Sequence, residues 1–359
     1  MFLTIIIVFI SFIGLVILHE FGHFLLAKKY GVKVEEFGIG LPPRLIGKKI
    51  GETLYSLNLL PFGAFVKIEG EEGGIESIHS FDKKPIWQRA LIVLAGVVSF
   101  WLISIVLLSI VFGIGTWGPV SDEQEAVNAK VKVVGIAAGS PAEKAGIKLG
   151  DIIKQFSISN FQFSIDKVRE AQELTEKYKG KEVILTTERG KEIFNINLIP
   201  RVSPPAGEGP MGVVLARVEI KRYPWYLSPI KGIEASFNMT ILILGSLVQL
   251  LVNLIQGQAL PPEVKFVGPI GIGAFMIQVA QLGWVYYLQF IAAISIYLAI
   301  FNLLPIPALD GGKLLFLGIE AVRKKPVNPR VEKKITAFFF TILLCLMVWV
   351  TIKDIIGLF

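Results

Sequence analysis

The sequence is poor in the residues that build most disulfides and metal sites: its 359 residues include one cysteine, Cys345, and three histidines. A single cysteine excludes an intramolecular disulfide and a cysteine-based zinc site. Charged residues make up only 18% of the chain, whereas hydrophobic residues make up 53%. A chain this apolar predicts several segments in lipid. The formal net charge of +7 is therefore attributed to basic loops on one side of a membrane, and no nucleic-acid partner is expected.

Four apolar stretches reach the roughly 20 residues that a helix needs to cross a bilayer. They are residues 1–27, 90–114, 284–304 and 335–352. The first lacks the basic start and small-residue cleavage site of a signal peptide, so we expect it to remain in the protein. Because Lys28 and Lys29 follow it directly, the positive-inside rule places that end in the cytoplasm and the N-terminus outside.

A fifth apolar stretch, residues 233–254, is interrupted by four polar side chains. These are Ser236, Asn238, Gln249 and Asn253. The loops at 28–89 and 323–334 are both rich in lysine and arginine, so both should be cytoplasmic. This requires an even number of crossings between them, which the second and third spans already supply. We therefore predict a polytopic α-helical membrane protein with four transmembrane helices, in which 233–254 is an interfacial or re-entrant helix on the outer side. A fifth span is the alternative.

Residues 116–229 have a different composition from the spans around them. The runs "AKVKVVGI" and "KEVILTTE" indicate strands, and "SIDKVREAQELTEKY" indicates a polar helix. We predict an inserted extracytoplasmic α+β domain over 116–229, with residues 1–115 and 230–359 forming the two parts of a membrane domain.

Part of this inserted domain resembles a PDZ domain. In "GSPAEKAGIKLGD", Ser140 is expected to cap a short helix, and Gly150 with Asp151 to form a turn. PDZ domains bind extended chain ends by adding a strand to a sheet edge. The resemblance therefore implies a chain-end ligand as a partner, and "MGVVLARVEI", starting at Met211, is the expected edge strand.

The run "HEFGH" places His19, Glu20 and His23 inside the first apolar span. Burying an ionisable group in hydrocarbon costs at least ~2.5 kcal/mol on insertion scales, so these side chains indicate a functional site. Residues i and i+4 share one face of a helix, so both histidines can bind one metal ion while Glu20 reaches a water molecule as general base. The alternative is two core histidines bonded to neighbouring helices.

A catalytic zinc site needs a third protein ligand and an open position for water. The run "FNLLPIPALDGGKLL" supplies the other polar interruption of an apolar span. Pro305 and Pro307 cannot donate backbone hydrogen bonds, so the helix should break before Asp310. Counted from the basic residues that follow each segment, His19 and Asp310 lie at similar depth. We predict Asp310 as the third ligand, with Glu320 as a weaker alternative.

H-E-x-x-H in the first span and N-x-x-P-x-x-x-L-D-G in a later span together resemble the site-2 protease family of intramembrane zinc metalloproteases. The single external PDZ module resembles the bacterial regulator of sigma-E protease type. The resemblance implies a Zn²⁺ cofactor held by His19, His23 and Asp310, with Glu20 as the catalytic base. It also implies that Asn302 holds the substrate near the site.

Two further segments fit the family and one departs from it. "PFGAFVKIEG", residues 61–70, resembles a membrane-facing β-hairpin, so substrate-binding residues are expected at Gly63, Ala64 and Phe65, and "GPIG" at 268–271 also occurs in relatives. The departure is "AGVVSF", which has Val97 and Phe100 where many relatives carry proline and asparagine.

The resemblance implies hydrolysis of peptide bonds within or near the transmembrane segments of single-pass proteins, in the bacterial cytoplasmic membrane. Anti-sigma-factor-like proteins and remnant signal peptides are the implied substrates, and the lipid bilayer is the other partner. A catalytically inactive membrane PDZ scaffold is the main alternative. A metal transporter is a weaker one, because no inverted repeat is apparent in the sequence.

Overall fold

The computed structural model describes residues 2–71, 77–126, 128–190, 192–258 and 267–357. The chain divides into two compact units: an inserted unit, Val111–Pro224, and a first unit formed by Met1–Ile110 and Trp225–Phe359. The elements, in chain order, are α1 (Phe2–Lys29), β1 (Val34–Ile50), β2 (Thr53–Ile68), α2 (Ile86–Ile114), β3 (Thr116–Pro119), β4 (Lys130–Ile136), α3 (Pro141–Lys144), β5 (Ile152–Ile158), β6 (Phe161–Ser164), α4 (Val168–Lys177), β7 (Val183–Arg189), β8 (Glu192–Leu198), β9 (Val213–Lys221), α5 (Ser228–Ile255), α6 (Pro269–Gln281), α7 (Trp284–Leu303), α8 (Asp310–Arg323) and α9 (Pro329–Gly357).

Among the described residues, five helices are long and apolar enough to cross a membrane: α1, α2, α5, α7 and α9. The chain is a multi-pass membrane protein. All four stretches predicted as spans form helices. The predicted number of four is not confirmed, because α5 meets the same criteria of length and composition.

Three of the four polar residues that argued against a crossing by α5 have a hydrogen-bond partner. Ser236 is buried, and its hydroxyl lies 3.0 Å from the hydroxyl of Ser104 on α2. Gln249 Nε2 donates to Asn253 Oδ1, one turn away, over 2.9 Å. Asn238 stays exposed. A polar group with a partner costs far less in an apolar environment than one without, so Ser236, Gln249 and Asn253 are compatible with lipid.

α5 lies antiparallel along α2. Trp101 Nε1 donates to Thr240 Oγ1 over 3.1 Å, and nearer the start of α5 a Cβ on Gly232 would overlap the hydroxyl of Ser109. Residues later in α5 therefore contact residues earlier in α2. Lengthwise packing of two apolar helices favours a crossing by α5 over a position in the membrane interface.

The short helix α6 explains why counting crossings did not decide the role of α5. Only Leu282 and Gly283 join α6 to α7, and the rings of Phe275 and Phe290 lie 5.2 Å apart, so the two helices form an antiparallel hairpin. With 13 residues, α6 is too short to be recognised as a span from the sequence. A return of the chain between α5 and α7 keeps both basic loops on one side even when α5 crosses.

β1 and β2 form a separate antiparallel sheet, in which β2 turns back so that two of its segments pair with β1. Residues 36–39 of β1 pair with 54–57 and also with 64–67 of β2, so this part of β1 lies between two segments of β2. The predicted hairpin at 61–70 supplies only one strand, and β1 supplies its partner. β2 packs against α1, and Ile68 at the end of β2 lies in the same buried cluster as Ala27 of α1.

In the inserted unit, the sheet has the strand order β3-β9-β4-β5-β7-β8, and β6 pairs with β5. The predicted strands and polar helix are confirmed as β4, β7 and α4. Ser140 Oγ accepts a hydrogen bond from the Glu143 amide over 3.2 Å and caps α3, as predicted. The carboxylate of Asp151 is buried and accepts two 2.7 Å hydrogen bonds from Arg189. The strand predicted from Met211 is β9, which begins at Val213.

Candidate metal centre

The structure brings together the three residues that were predicted as metal ligands. His19 and His23 lie one turn apart on α1, and their Nε2 atoms are 3.3 Å apart. Asp310 Oδ2 lies 3.4 Å from each of these nitrogens. Within the described part of the chain, this is the group of histidine and carboxylate side chains arranged to hold a metal ion.

The triangle formed by these three atoms fits zinc. Zinc bound by histidine and carboxylate at roughly 2.0–2.1 Å in a tetrahedral site has neighbouring ligand atoms about 3.3–3.4 Å apart. Asp310 Oδ2 is buried and accepts no hydrogen bond from any described residue. A buried carboxylate oxygen without a donor is costly unless a cation satisfies it. Two histidines and one carboxylate also leave the fourth position of a catalytic zinc site open.

His23 is fixed in orientation by α2. Its Nδ1 lies 2.9 Å from the Ile92 carbonyl oxygen, which can only accept, so Nδ1 carries the proton and Nε2 presents its lone pair to the centre. A Cβ on Gly96 would overlap the His23 ring. Gly96 therefore permits the contact between α2 and the histidine that the metal centre requires.

His19 is fixed by Phe100, which lies on α2. The two rings are stacked, with centroids 4.6 Å apart and planes 15° apart. Phe100 is 2% exposed and Val97 is fully buried, both in a cluster with Met276 of α6. An aromatic ring of α2 thus packs on one of the predicted ligands.

Asp310 owes its position to a tight turn between α7 and α8. α7 ends at Leu303 and α8 begins at Asp310, so the helix breaks where the two prolines predicted it. A Cβ on Gly311 would overlap the Leu303 and Leu304 carbonyl groups, and one on Gly312 would overlap that of Ile306. The two glycines after Asp310 thus allow α8 to start directly against the end of α7.

Glu20 lies beside the ligands and contacts the sheet. Its Oε2 accepts a hydrogen bond from the backbone amide of Val66, on β2, over 3.0 Å. Gly63, with a φ of 83°, and Ala64, which is buried, precede this position on the same strand, and Phe65 packs its ring against Gly38. The edge of β2 therefore lies next to the predicted catalytic base.

Two other predicted residues have partners other than the three ligands. The Asn302 amide donates to the Leu298 carbonyl of its own helix over 2.9 Å. Glu320, the weaker alternative as third ligand, instead pairs with Arg89 through contacts of 3.0 and 2.5 Å, so its selection as an alternative ligand was wrong. This ion pair joins α8, which carries Asp310, to α2, which carries the residues that contact His23.

Sequence reasoning missed Ile92, Gly96 and Val66, and it noted Phe100 without predicting its contact with His19. Two of them act through backbone groups, which give no sequence signal. Gly96 and Phe100 are the seventh and eleventh residues of the apolar run that begins at Ala90, where a small residue and an aromatic residue are expected for packing alone. Their role follows only from the way α1 and α2 cross.

Comparisons with known proteins show the family to which the chain belongs. Residues 7–346 match the model of peptidase family M50. The chain is 34% identical over 349 residues to a provisionally named zinc metalloprotease of Clostridium perfringens. The aligned region covers 97% of each of the two chains. It is also 27% identical to the regulator of sigma-W protease RasP of Bacillus subtilis over the full length of both chains. The chain belongs to peptidase family M50, the site-2 protease family, and is a zinc-dependent metalloprotease of the membrane.

Proposed function

We propose that this metalloprotease hydrolyses peptide bonds within or near the transmembrane segments of single-pass membrane proteins, in regulated intramembrane proteolysis. His19, His23 and Asp310 hold the zinc ion, and Glu20 is the catalytic base. The observation that carries the proposal is the triangle of 3.3–3.4 Å between the ligand atoms, formed by helices α1 and α8 of a multi-pass protein.

The chemistry assigned to the chain's own residues follows from their positions. Zinc, when bound, supplies a Lewis acid that activates water and polarises the scissile carbonyl. The Glu20 carboxylate takes a proton from the attacking water and later delivers it to the leaving amide nitrogen. The Ile92 carbonyl keeps the proton of His23 on Nδ1, and Phe100 holds the His19 ring in place.

Substrate binding is assigned to the strand edge beside Glu20. The carbonyl groups of a transmembrane helix are engaged in hydrogen bonds to residue i+4, so the segment to be cut must first unwind. An unwound segment can pair with the edge formed by Gly63, Ala64 and Phe65, because addition of a strand satisfies its backbone groups. Asn302 is assigned to hold the substrate near the centre once its amide leaves the Leu298 carbonyl.

We assign the inserted unit as a PDZ domain that receives a chain end or limits substrate size. Among the described strands, none pairs with residues 213–216 of β9 on the side away from β4, since β3 covers only 218–221. α4 packs near β9. An open strand edge beside a helix is the kind of groove in which an extended peptide adds a strand.

The proposed location is the bacterial cytoplasmic membrane, with the N-terminus and the inserted unit outside. The basic loops at 28–89 and 323–334 support this orientation. The Bacillus subtilis relative is named as a regulator of sigma-W, which supports anti-sigma-factor-like substrates for this chain. Remnant signal peptides are the second proposed substrate class.

The decisive experiment separates proton transfer from metal binding. Wild type, Glu20→Gln and Asp310→Asn are purified in detergent, zinc is measured by elemental analysis, and cleavage of a single-pass model substrate with a trimmed outer domain is followed. Glu20→Gln should retain zinc and lose about 10²- to 10⁴-fold in activity, because the general base is gone. Asp310→Asn should lose zinc and activity together, because a neutral oxygen replaces a charged one.

Glu234→Gln is the matched control, since Glu234 forms an exposed ion pair with Lys231 on α5. It should leave zinc content and cleavage unchanged. Cleavage by Glu20→Gln at the wild-type rate would overturn the proposed mechanism. Full zinc occupancy in Asp310→Asn together with wild-type activity would show that Asp310 is not the third ligand.

A further inference from the structure

The hydrogen bond between Glu20 and Val66 connects the catalytic base to the edge of the sheet. In an antiparallel pair, successive amides of a strand point alternately toward the neighbouring strand and away from it. Val66 lies opposite Phe37 of β1, but its amide donates to Glu20 Oε2 at 3.0 Å. It is therefore one of the outward-facing donors of the edge, and Ala64 and Ile68 face the same side by the two-residue period.

A substrate strand that adds to this edge needs the same donor. Strand addition pairs the carbonyl groups of the incoming peptide with the outward amides of the edge strand. The amide of Val66 has a single hydrogen, which it already donates to the Glu20 carboxylate. The carboxylate and a substrate carbonyl thus compete for one hydrogen-bond donor.

We propose that the hydrogen bond from Val66 to Glu20 is a latch that substrate binding opens. This inference rests on the proposed function. When an extended substrate segment pairs with residues 64–68, its carbonyl takes the Val66 amide, and the Glu20 carboxylate is released to accept a proton from water. No covalent bond changes in this step. Val66 is a positioning residue that acts through Glu20.

The latch ties activation of the base to the conformation of the substrate. A helical segment has no free carbonyl to offer and leaves Glu20 bound to Val66, whereas an unwound segment releases it. Displacing the carboxylate has a cost, because a hydrogen bond to a charged group is stronger than one between neutral groups. Removing the carboxylate should therefore tighten substrate binding by about tenfold or more.

The test measures binding to metal-free protein, so that it does not depend on catalysis. The dissociation constant of the single-pass model substrate, labelled with a fluorophore, is determined in detergent for chelator-treated wild type, Glu20→Ala, Val66→Pro and the double variant. We expect Glu20→Ala to bind about tenfold more tightly than wild type. Val66→Pro lacks the amide hydrogen, so adding Glu20→Ala to it should bring no further gain, which is the non-additivity of two coupled residues.

Glu36→Ala controls for the loss of a negative charge, since Glu36 lies in the same sheet but pairs with Arg44. It should bind substrate as wild type does. A second measurement does not require proline in the strand: hydrogen–deuterium exchange of a peptide covering 64–68 should show one additional exchanging amide in Glu20→Ala. Equal dissociation constants for wild type and Glu20→Ala, or a gain that persists in the Val66→Pro background, would overturn the latch.

Cleavage of the same substrate by zinc-loaded wild type keeps the two proposals distinguishable. Cleavage combined with equal affinities removes the latch and leaves the protease function standing. Tighter binding by Glu20→Ala without any cleavage by the wild type supports the latch and contradicts intramembrane proteolysis of this substrate class.

Discussion

The ring of Phe100 is stacked on the imidazole of His19, with centroids 4.6 Å apart. Phe100 is itself anchored, because its carbonyl accepts a 2.8 Å hydrogen bond from Ser295 on α7. A buried aromatic ring on a ligand restricts the rotation of that ligand without occupying a coordination position. This contact links α7, α2 and α1 at the level of the metal centre.

Phe100→Leu should weaken zinc binding while leaving the fold intact. Leucine keeps most of the apolar volume but loses the flat surface on His19, and loss of a group that orients a ligand costs about 10- to 100-fold in metal affinity. Competition for zinc with a chelator of known affinity measures the change. Phe290→Leu, in the same cluster but in contact with Phe275, is the matched control and should keep wild-type affinity. Equal affinities in the two variants would contradict the role of Phe100.

Gly96→Ala should disrupt the centre although alanine favours a helix. An added methyl group would overlap the His23 ring, so α2 or the imidazole must move. We expect zinc content to fall and activity to drop at least about tenfold. Gly14→Ala on α1 is the control, because a Cβ there meets no atom within 4 Å among the described residues. That variant should gain about 1 kcal/mol of helix stability at most and keep its zinc.

The sequence predicted the parts of the site that depend on local geometry. The spacing of His19 and His23 places both on one face of any α-helix, and Pro305 with Pro307 breaks the helix before Asp310 in any context. These features were therefore found without a structure. Phe100 depends on how two helices cross, which the sequence does not specify.

The helix count was less predictable for a physical reason. Hydropathy identifies a span by its length, and α6 has 13 residues, which is too few. Its antiparallel arrangement with α7 comes from side-chain packing between Phe275 and Phe290. Without α6, the parity of the crossings favoured an interfacial α5, and the packing of α5 on α2 could not be read from composition.

Reporter fusions test the orientation and the crossing by α5. Fusions after Lys84 and Lys325 should report the cytoplasm, and one at Ser159 should report the outside, because basic loops stay inside. A fusion after Gln256, at the end of α5, should also report the cytoplasm, because α5 lies antiparallel along α2. An external signal after Gln256 would restore the interfacial helix, and a cytoplasmic signal at Ser159 would contradict the whole orientation.

Asp354 should stabilise the junction of α6 with α9. Its Oδ2 accepts a 2.7 Å hydrogen bond from the Gly271 amide in the first turn of α6, and a Cβ on Gly268 or Gly271 would crowd this carboxylate. This contact accounts for the glycines of "GPIG". Asp354→Ala should lower the free energy of unfolding by about 1–2 kcal/mol, as loss of a helix cap does. Thermal unfolding in detergent measures it, with the exposed neighbour Lys353→Ala as control, and unchanged stability in Asp354→Ala would contradict the cap.

The stability of the inserted unit should depend on pH through the titration of Lys132. This lysine is 8% exposed on β4, and burial lowers the pKa of its ammonium group to about 8. In the unfolded chain the same group titrates at about 10.4. Between these values the unfolded state binds more protons than the folded state, so the contribution of Lys132 to stability rises with pH. Below about pH 8 both states are charged, and above about 10.5 both are neutral.

Lys132→Met removes this titration and should change the pH profile in a defined direction. The free energy of unfolding of wild type minus that of the variant should increase between pH 8 and pH 10, and it should be constant below pH 7. Urea unfolding of the full-length protein, followed by proteolysis within Val111–Pro224, measures the difference at each pH. Lys130→Met is the control, because Lys130 lies on the same strand and also faces Trp117 but is only partly buried and pairs with Glu188, so it accounts for loss of the contact with the indole ring. A difference for Lys132→Met that stays constant across this range would show that burial does not depress the pKa of this ammonium group in the folded unit.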